Sequence, residues 1–281
     1  AGSRRNIYAH YDLGNDFFSL FLDPTMAYSS ALFRSPHDTL EAAQHEKFKL
    51  WGERLALRAA DRVLEIGSGW GGLAIHLART YGCRVTSITV SAEQCALATA
   101  RVAAAGLADR VHIELRDYRA VQGQYSRIVS VEMIEAVGRE FWPDFFRAID
   151  RVLAPGGRVG IQAIAMPDGR FDAYVTRSDW IQKHIFPGGL LPCLREICAV
   201  TAAHTQLAVT GVEDRPLDYA RTLSEWRARF MARVDEVRRL GFDDRFIRTW
   251  EYYFASCEAA FRTRNLGLLH VMLARVGDEL T

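Results

Sequence analysis

The chain has 281 residues, 49% hydrophobic and 25% charged, and its 35 Lys and Arg against 34 Asp and Glu leave a net charge of +1. That is room for one large α/β domain or two small ones with a sizeable core, and near-neutrality excludes a global field that would draw in nucleic acid. Five scattered cysteines (Cys83, Cys95, Cys193, Cys198 and Cys257) make no Cys-x-x-Cys pair and no zinc spacing, as expected of free thiols in a reducing cytoplasm; no apolar run is long enough to span a bilayer, and no secretory leader is read ahead of the first structured segment.

Residues 6–60 read as helices joined by short turns, an N-terminal cover (residues 1–60) on a single domain spanning 1–281. Phe17, Phe18, Leu20, Phe21 and Leu22 form an apolar segment that stops at Asp23-Pro24. "TLEAAQHEKFKLWGERLAL" reads as an amphipathic helix with Thr39 as N-cap and Gln44 and Lys47 on its polar face. From residue 62 the period changes: "RVLEIG", "RVTSITV", "RVHIEL", "SRIVSVE" and "RVGIQAIA" are short β-branched runs. Helical stretches such as "GLAIHLARTYG" and "SAEQCALATARVAAAGL" separate the first three, and "FWPDFFRAIDRVLAPGG" separates the last two. This alternation predicts an α/β fold with a doubly wound, mostly parallel, Rossmann-like sheet. "QLAVTGVED" and "LLHVMLARV" are late strands. Residues 166–206 are a long excursion after the fifth strand, expected to be a functional lid or pocket wall. The segment from Trp226 to Trp250 carries seven arginines among its acids, either a solvated helix or a face for anionic phospholipid.

The run "VLEIGSGWGG" places Gly67, Gly69 and Gly72 at the spacing of a dinucleotide loop, between a strand and a helix. Backbone N–H groups there can face a polar ligand. A dinucleotide site expects an acid about 20 positions on, to hold the ribose; here Thr89 and Ser91 stand instead. Glu65, two residues before Gly67, would repel a pyrophosphate, whereas it pairs well with the cationic amino group of S-adenosylmethionine. Asp117 and Tyr118, after the third strand, are candidates for the adenine edge and face.

"HYDLGNDFFSLFLDPTMAYSSALF", "VLEIGSGWGGLAIHLA", "VTSITVSAEQ", "YSRIVSVEMIEAVG", "IFPGGLLP" and "DYARTLSEW" together resemble the cyclopropane-fatty-acyl-phospholipid synthase family, which includes the mycolic-acid methyltransferases. The resemblance runs from about Tyr8 to Arg264. It implies a class I methyltransferase that binds S-adenosylmethionine and acts on the cis double bond of an acyl chain in a phospholipid or carrier-bound lipid. It places Tyr28, Ser29, Gly67, Gly69, Thr89, Gln94, Asp117 and Tyr118 near the cofactor. It assigns Glu135 and Tyr219 to a bicarbonate ion that serves as base, with Ile164 contributing a backbone N–H. Ser30 stands where family members often have Cys, and Gln162 where they often have His; both positions line the anion site. Gln162 donates a hydrogen bond but carries neither proton nor charge. The implied location is cytoplasmic, peripheral to the inner face of the membrane, with the lipid as partner and a homodimer left open.

After methyl transfer to an alkene, a carbocation remains on the chain and a base must take a proton. "SVEMIEAVG" offers Glu132 and Glu135; the family position favours Glu135, and a helix N-terminal acid is the bland alternative for both. The leading product is a cyclopropane, and the runner-up a methyl- or methylene-branched chain. A small-molecule N- or C-methyltransferase and a non-catalytic lipid-binding protein are the other readings. His10, Tyr11 and His184 receive no role. The aromatic residues of 17–33 and 171–186 line an acyl channel or are plain core.

Overall fold

Seven strands pair into one sheet: β1 (Arg62–Ile66), β2 (Arg84–Thr89), β3 (Val111–Leu115), β4 (Tyr125–Val131), β5 (Leu153–Ala165), β6 (Leu207–Asp214) and β7 (Gly267–Arg275). The computed structural model describes residues 13–278. The strand order is β3-β2-β1-β4-β5-β7-β6. β7 runs antiparallel between β5 and β6, and the pairings from β3 through β5 are parallel. A parallel sheet is covered on both faces, so its strands are apolar almost throughout. In β1 the four residues from Val63 to Ile66 are all buried, Glu65 among them.

The order reverses between β1 and β4, which opens a crevice at the carboxyl ends of these strands. Register brings Glu65 opposite Ser87 on β2 and sets Gln162 of β5 beside His270 of β7. Helices α1 (Asn15–Ser19) and α2 (Leu40–Arg54) precede the sheet; α3 (Gly72–Tyr81), α4 (Ala92–Ala104) and α5 (Trp142–Val152) cross between strands. The excursion after β5 carries three short helices, α6 (Asp168–Tyr174), α7 (Trp180–His184) and α8 (Leu194–His204). Between β6 and β7 come α9 (Pro216–Ala232), α10 (Val234–Arg239) and α11 (Asp244–Arg262).

A second core lies off the sheet. Phe17 and Phe21 of the N-terminal segment pack edge-on against Trp250 (4.7 Å) and Phe254 (5.4 Å) of α11, and Trp226 and Phe230 of α9 complete the cluster. This is what the apolar run from Phe17 to Leu22 is for. Its side chains are buried, yet the helix ends at Ser19 rather than at Asp23-Pro24. The expected helical cover is therefore two helices joined by an irregular segment. That segment is held by side chains: Asp23 accepts from the Thr25 N–H and hydroxyl, both at 2.9 Å, and Arg101 donates to the carbonyls of Pro24 and Thr25.

Two other expectations change. Thr39 caps α2 as read, its hydroxyl accepting from the Ala42 N–H at 3.2 Å. Gln44 and Lys47 are not on a polar face, however; they are 0% and 1% exposed. The irregular N-terminal segment lies against that side of α2, so Glu41, His45, Lys49 and Glu53 meet solvent instead. The arginine-rich segment is broken into three helices rather than one, and Arg233 and Arg238 pair locally with Glu236, Asp235 and Asp244.

Gly72, the last glycine of the loop, lets the two layers meet. A Cβ there would lie 2.6 Å from the Thr25 carbonyl oxygen, a backbone atom that cannot swing aside. Gly72→Ala is expected to destabilise the fold by about 1–3 kcal/mol, read by urea unfolding; an unchanged midpoint would show that the N-terminal segment yields freely.

Candidate active site

The crevice between β1 and β4 is a cavity floored by the glycine loop. Gly67 and Gly69 take φ of +100° and +48°, which side-chain-bearing residues rarely adopt. The N–H groups of Gly67 and Ser68 both donate to the Ile88 carbonyl at 3.0 Å, and that of Gly71 to Ser68. These three amides shape the loop rather than face a ligand.

Of the nine residues expected at the cofactor, Tyr28, Ser29, Glu65, Gly67, Gly69, Thr89, Gln94 and Tyr118 line this cavity. Asp117 does not; its carboxylate takes a two-pronged bond from Arg119, at 2.9 and 2.7 Å. At the end of β2 the Thr89 hydroxyl donates to the Gln94 side-chain oxygen at 2.9 Å, so a neutral pair stands where a dinucleotide site has its acid. Glu65 is buried and accepts from the Ser87 hydroxyl. Burial pushes its carboxyl up to about 8, against the pull of Ser87 and Lys47. A buried carboxyl of this kind is satisfied by a cation, which fits the ammonium of S-adenosylmethionine. Lys47, Arg116 and Glu132 also line the cavity and were not assigned to the cofactor from sequence.

Glu132, passed over in favour of Glu135, stands at the centre of the second half of the site. It follows β4 with a left-handed φ of +50°, a strained value for a residue with a side chain. Its Oε1 accepts from the Ser30 backbone N–H at 2.9 Å and from Gln162 Nε2 at 2.7 Å. Its Oε2 accepts from the Tyr219 hydroxyl at 2.7 Å. Trp51 Nε1 donates to Gln162 Oε1 at 3.2 Å, which turns the amide so that its NH2 meets Glu132. Tyr219 is fixed by stacking on Phe261, ring centroids 4.5 Å apart. Burial raises the Glu132 carboxyl above its ordinary range, while Tyr219, Ser30, Lys47 and Gln162 oppose that rise.

Glu135 sits one turn on. Its Oε1 accepts from the Ile164 N–H at 2.6 Å, and its Oε2 is buried with no partner. Burial and the nearby Glu132 push its carboxyl up to about 8. Its backbone carbonyl accepts from Leu190 N at 2.8 Å, tying the "IFPGGLLP" segment to this turn. Nearby, Phe186 packs edge-on against Tyr253, whose hydroxyl lies 3.2 Å from that of Tyr28. The His184 ring lies tilted against Trp180, centroids 4.9 Å apart, and His10 and Tyr11 lie outside the described residues.

The site thus brings together Ser30, Gln162 and Tyr219 around one carboxylate, and Ile164 with Glu135 around another, beside a cavity carrying Glu65. Residues 2–271 match the mycolic acid cyclopropane synthetase family. The chain belongs to this family. Among its relatives are tuberculostearic acid methyltransferase UfaA1 of Mycobacterium tuberculosis, 48% identical over 98% of this chain and 66% of the relative, and cyclopropane-fatty-acyl-phospholipid synthase of Escherichia coli, 40% identical over 95% of this chain and 66% of the relative. The chain spans just under two thirds of the length of these two relatives. Among solved structures, the cyclopropane synthase MmaA2 from Mycobacterium tuberculosis superposes with a TM-score of 0.90 at 27% identity, covering 97% of this chain and 98% of that one. Mycolic acid cyclopropane synthase CmaA1, complexed with SAH and CTAB, gives 0.89 at 28% identity, covering 96% and 97%. The resemblance read from the motifs and the class I methyltransferase sheet both agree with these findings.

In this family member Glu135 links stability to pH. An unfolded glutamate releases its proton near 4.5, whereas the folded one holds it to about 8. This contribution to native stability is full below 4.5 and is lost as pH rises to about 8. Glu135→Gln removes the titration, so urea unfolding at pH 5 and pH 8 is expected to show a smaller loss for the variant than for the parent.

Proposed function

We propose that this chain is an S-adenosylmethionine-dependent C-methyltransferase that acts on the cis double bond of an unsaturated acyl chain in a phospholipid, and that Glu132 is the proton acceptor. The observation that carries this reading is the clamp on Glu132. The donors that the family resemblance assigns to bicarbonate (Ser30, Gln162 and Tyr219) are spent on the chain's own carboxylate, and Ile164 is spent on Glu135. A free anion therefore does not fit this arrangement.

Glu65, Tyr28, Ser29, Thr89, Gln94 and Tyr118 would hold S-adenosylmethionine, with Glu65 opposite its ammonium. When bound, the cofactor supplies an electrophilic methyl group, to which the alkene π pair forms a carbon–carbon bond as the sulfur–carbon bond breaks. The chain's carboxylates then lie near the cation left on the neighbouring carbon, and the apolar surroundings keep water from it. The three donors occupy the lone pairs of Glu132 and delay its acceptance of a proton, although burial raises its carboxyl above the ordinary range. The cation has time to migrate by hydride shift to the methyl-bearing carbon, where it is tertiary. Glu132 then takes a proton from the methyl carbon, and that electron pair closes an exocyclic C=C bond. The reading favours a methylene-branched chain over the ring, in line with the higher identity to a tuberculostearic acid methyltransferase than to a cyclopropane synthase.

The excursion with α6 to α8 serves as the wall of the acyl channel in this reading, supported by Ile185 and Phe186 packing into the aromatic core. No helix among the described residues is long and apolar enough to cross a membrane, so lipid is expected to be met from the membrane surface.

Incubation with methyl-labelled S-adenosylmethionine and vesicles of cis-unsaturated phospholipid tests the reading. Label in the acyl chains with vinylidene protons by NMR is expected; ring protons would select the cyclopropane, and no label in lipid would sink the assignment. Glu132→Gln should lower turnover at least about 100-fold while cofactor affinity changes only a few-fold.

A further inference from the structure

One face of α2 forms the wall behind both halves of the site. Gln44, Lys47 and Trp51 are spaced three and four apart, so their side chains leave the helix on one side. Gln44 Nε2 donates to the Ser29 carbonyl at 2.9 Å and to the Ala27 carbonyl at 3.4 Å. Lys47 Nζ donates to the Ser29 hydroxyl at 2.7 Å. Trp51 donates to Gln162. Ser30, next to Ser29, and Gln162 are two of the three donors on Glu132, so this face carries the clamp.

Lys47 is unusual among the three. Its side chain is fully buried, and it lines the cofactor cavity together with Glu65 and Glu132. A buried ammonium is costly unless carboxylates surround it. The acids whose charge it feels are Glu132, Asp23 and Glu65, from three different segments. The titratable groups facing Glu132 are Lys47 from α2, Tyr219 from α9 and Glu135 from the turn after β4. Tyr219 is a neutral donor and Glu135 a competing acid, so Lys47 is the cation of the set.

Resting on the reading of Glu132 as proton acceptor, we propose that Lys47 is a positioning residue: its buried ammonium holds Glu132 ionised and, through Ser29, fixes the loop that clamps it. The signs follow from charge alone. Loss of the Lys47 cation raises the Glu132 carboxyl further, so the acid limb of the rate profile moves to higher pH. Loss of the Glu132 anion lowers the Lys47 ammonium below its present position of about 8.

Two measurements test this. The first is NMR of ¹³C-lysine-labelled protein, with the Lys47 signal assigned by its absence in Lys47→Arg. Lys47 is expected to titrate about one pH unit lower in Glu132→Gln than in the parent chain. Equal titration in the two would overturn the proposal, and this arm needs no turnover. The second is the pH profile of kcat with vesicle substrate. Lys47→Gln keeps a donor for the Ser29 hydroxyl and removes the charge; its acid limb should rise by about one unit, with the KM for S-adenosylmethionine changing only a few-fold. Lys47→Arg should return the limb to the parental position. A lower kcat with an unshifted limb in Lys47→Gln would mark a merely structural role and overturn the proposal. If the parent chain transfers no methyl group to lipid, the functional reading fails, while the NMR arm still decides whether Lys47 and Glu132 are coupled.

Discussion

A carboxylate taken out of water must be repaid by hydrogen bonds, and much of this structure is arranged to repay Glu132. Its three donors come from residues 30, 162 and 219, far apart in the chain. Ser30 comes from the irregular N-terminal segment, Gln162 from a central strand, and Tyr219 from a helix beyond the sheet. The left-handed backbone at Glu132 turns the side chain toward them at a cost in strain. The clusters packed on the sheet and the one between the N-terminal segment and the late helices are both tied to this carboxylate. Removing any one donor would leave a buried charge partly unsatisfied.

The cofactor half of the site follows from topology. The reversal of strand order between β1 and β4 opens the crevice, and the glycine loop closes its floor with amides bonded back to β2. Chemistry then selects the ligand. Glu65 sits buried where a cation would satisfy its carboxyl, and Thr89 with Gln94 replaces the acid a dinucleotide needs. Helix α2 serves both halves at once, through Gln44 and Lys47 on the loop of Ser29 and Trp51 on Gln162.

The strands were legible because a buried parallel sheet writes itself as short β-branched runs, and the glycine loop because positive φ demands glycine. Glu65, the loop glycines and Tyr118 followed from their places at strand ends, whereas Tyr28, Ser29, Thr89 and Gln94 followed from the family resemblance. Three features were not legible, for physical reasons. Glu132 and Glu135 lie three apart on one turn, and spacing alone does not say which carboxylate the donors reach. The replacement of an ionisable residue by Gln162 was the available signal: a neutral amide suits a carboxylate supplied by the chain itself. Lys47 was read as solvated because lysine on an amphipathic helix usually is, and only the tertiary placement of residues 20–39 over α2 reverses that. Asp117 was expected at the ligand, but Arg119, two residues on, takes its carboxylate first.

The central claim is that the chain carries its own anion in the site. Turnover measured in carbonate-free buffer, with and without added bicarbonate, tests it most directly. The account predicts the same rate in both. A rate that collapses when bicarbonate is stripped and returns when it is restored would contradict it.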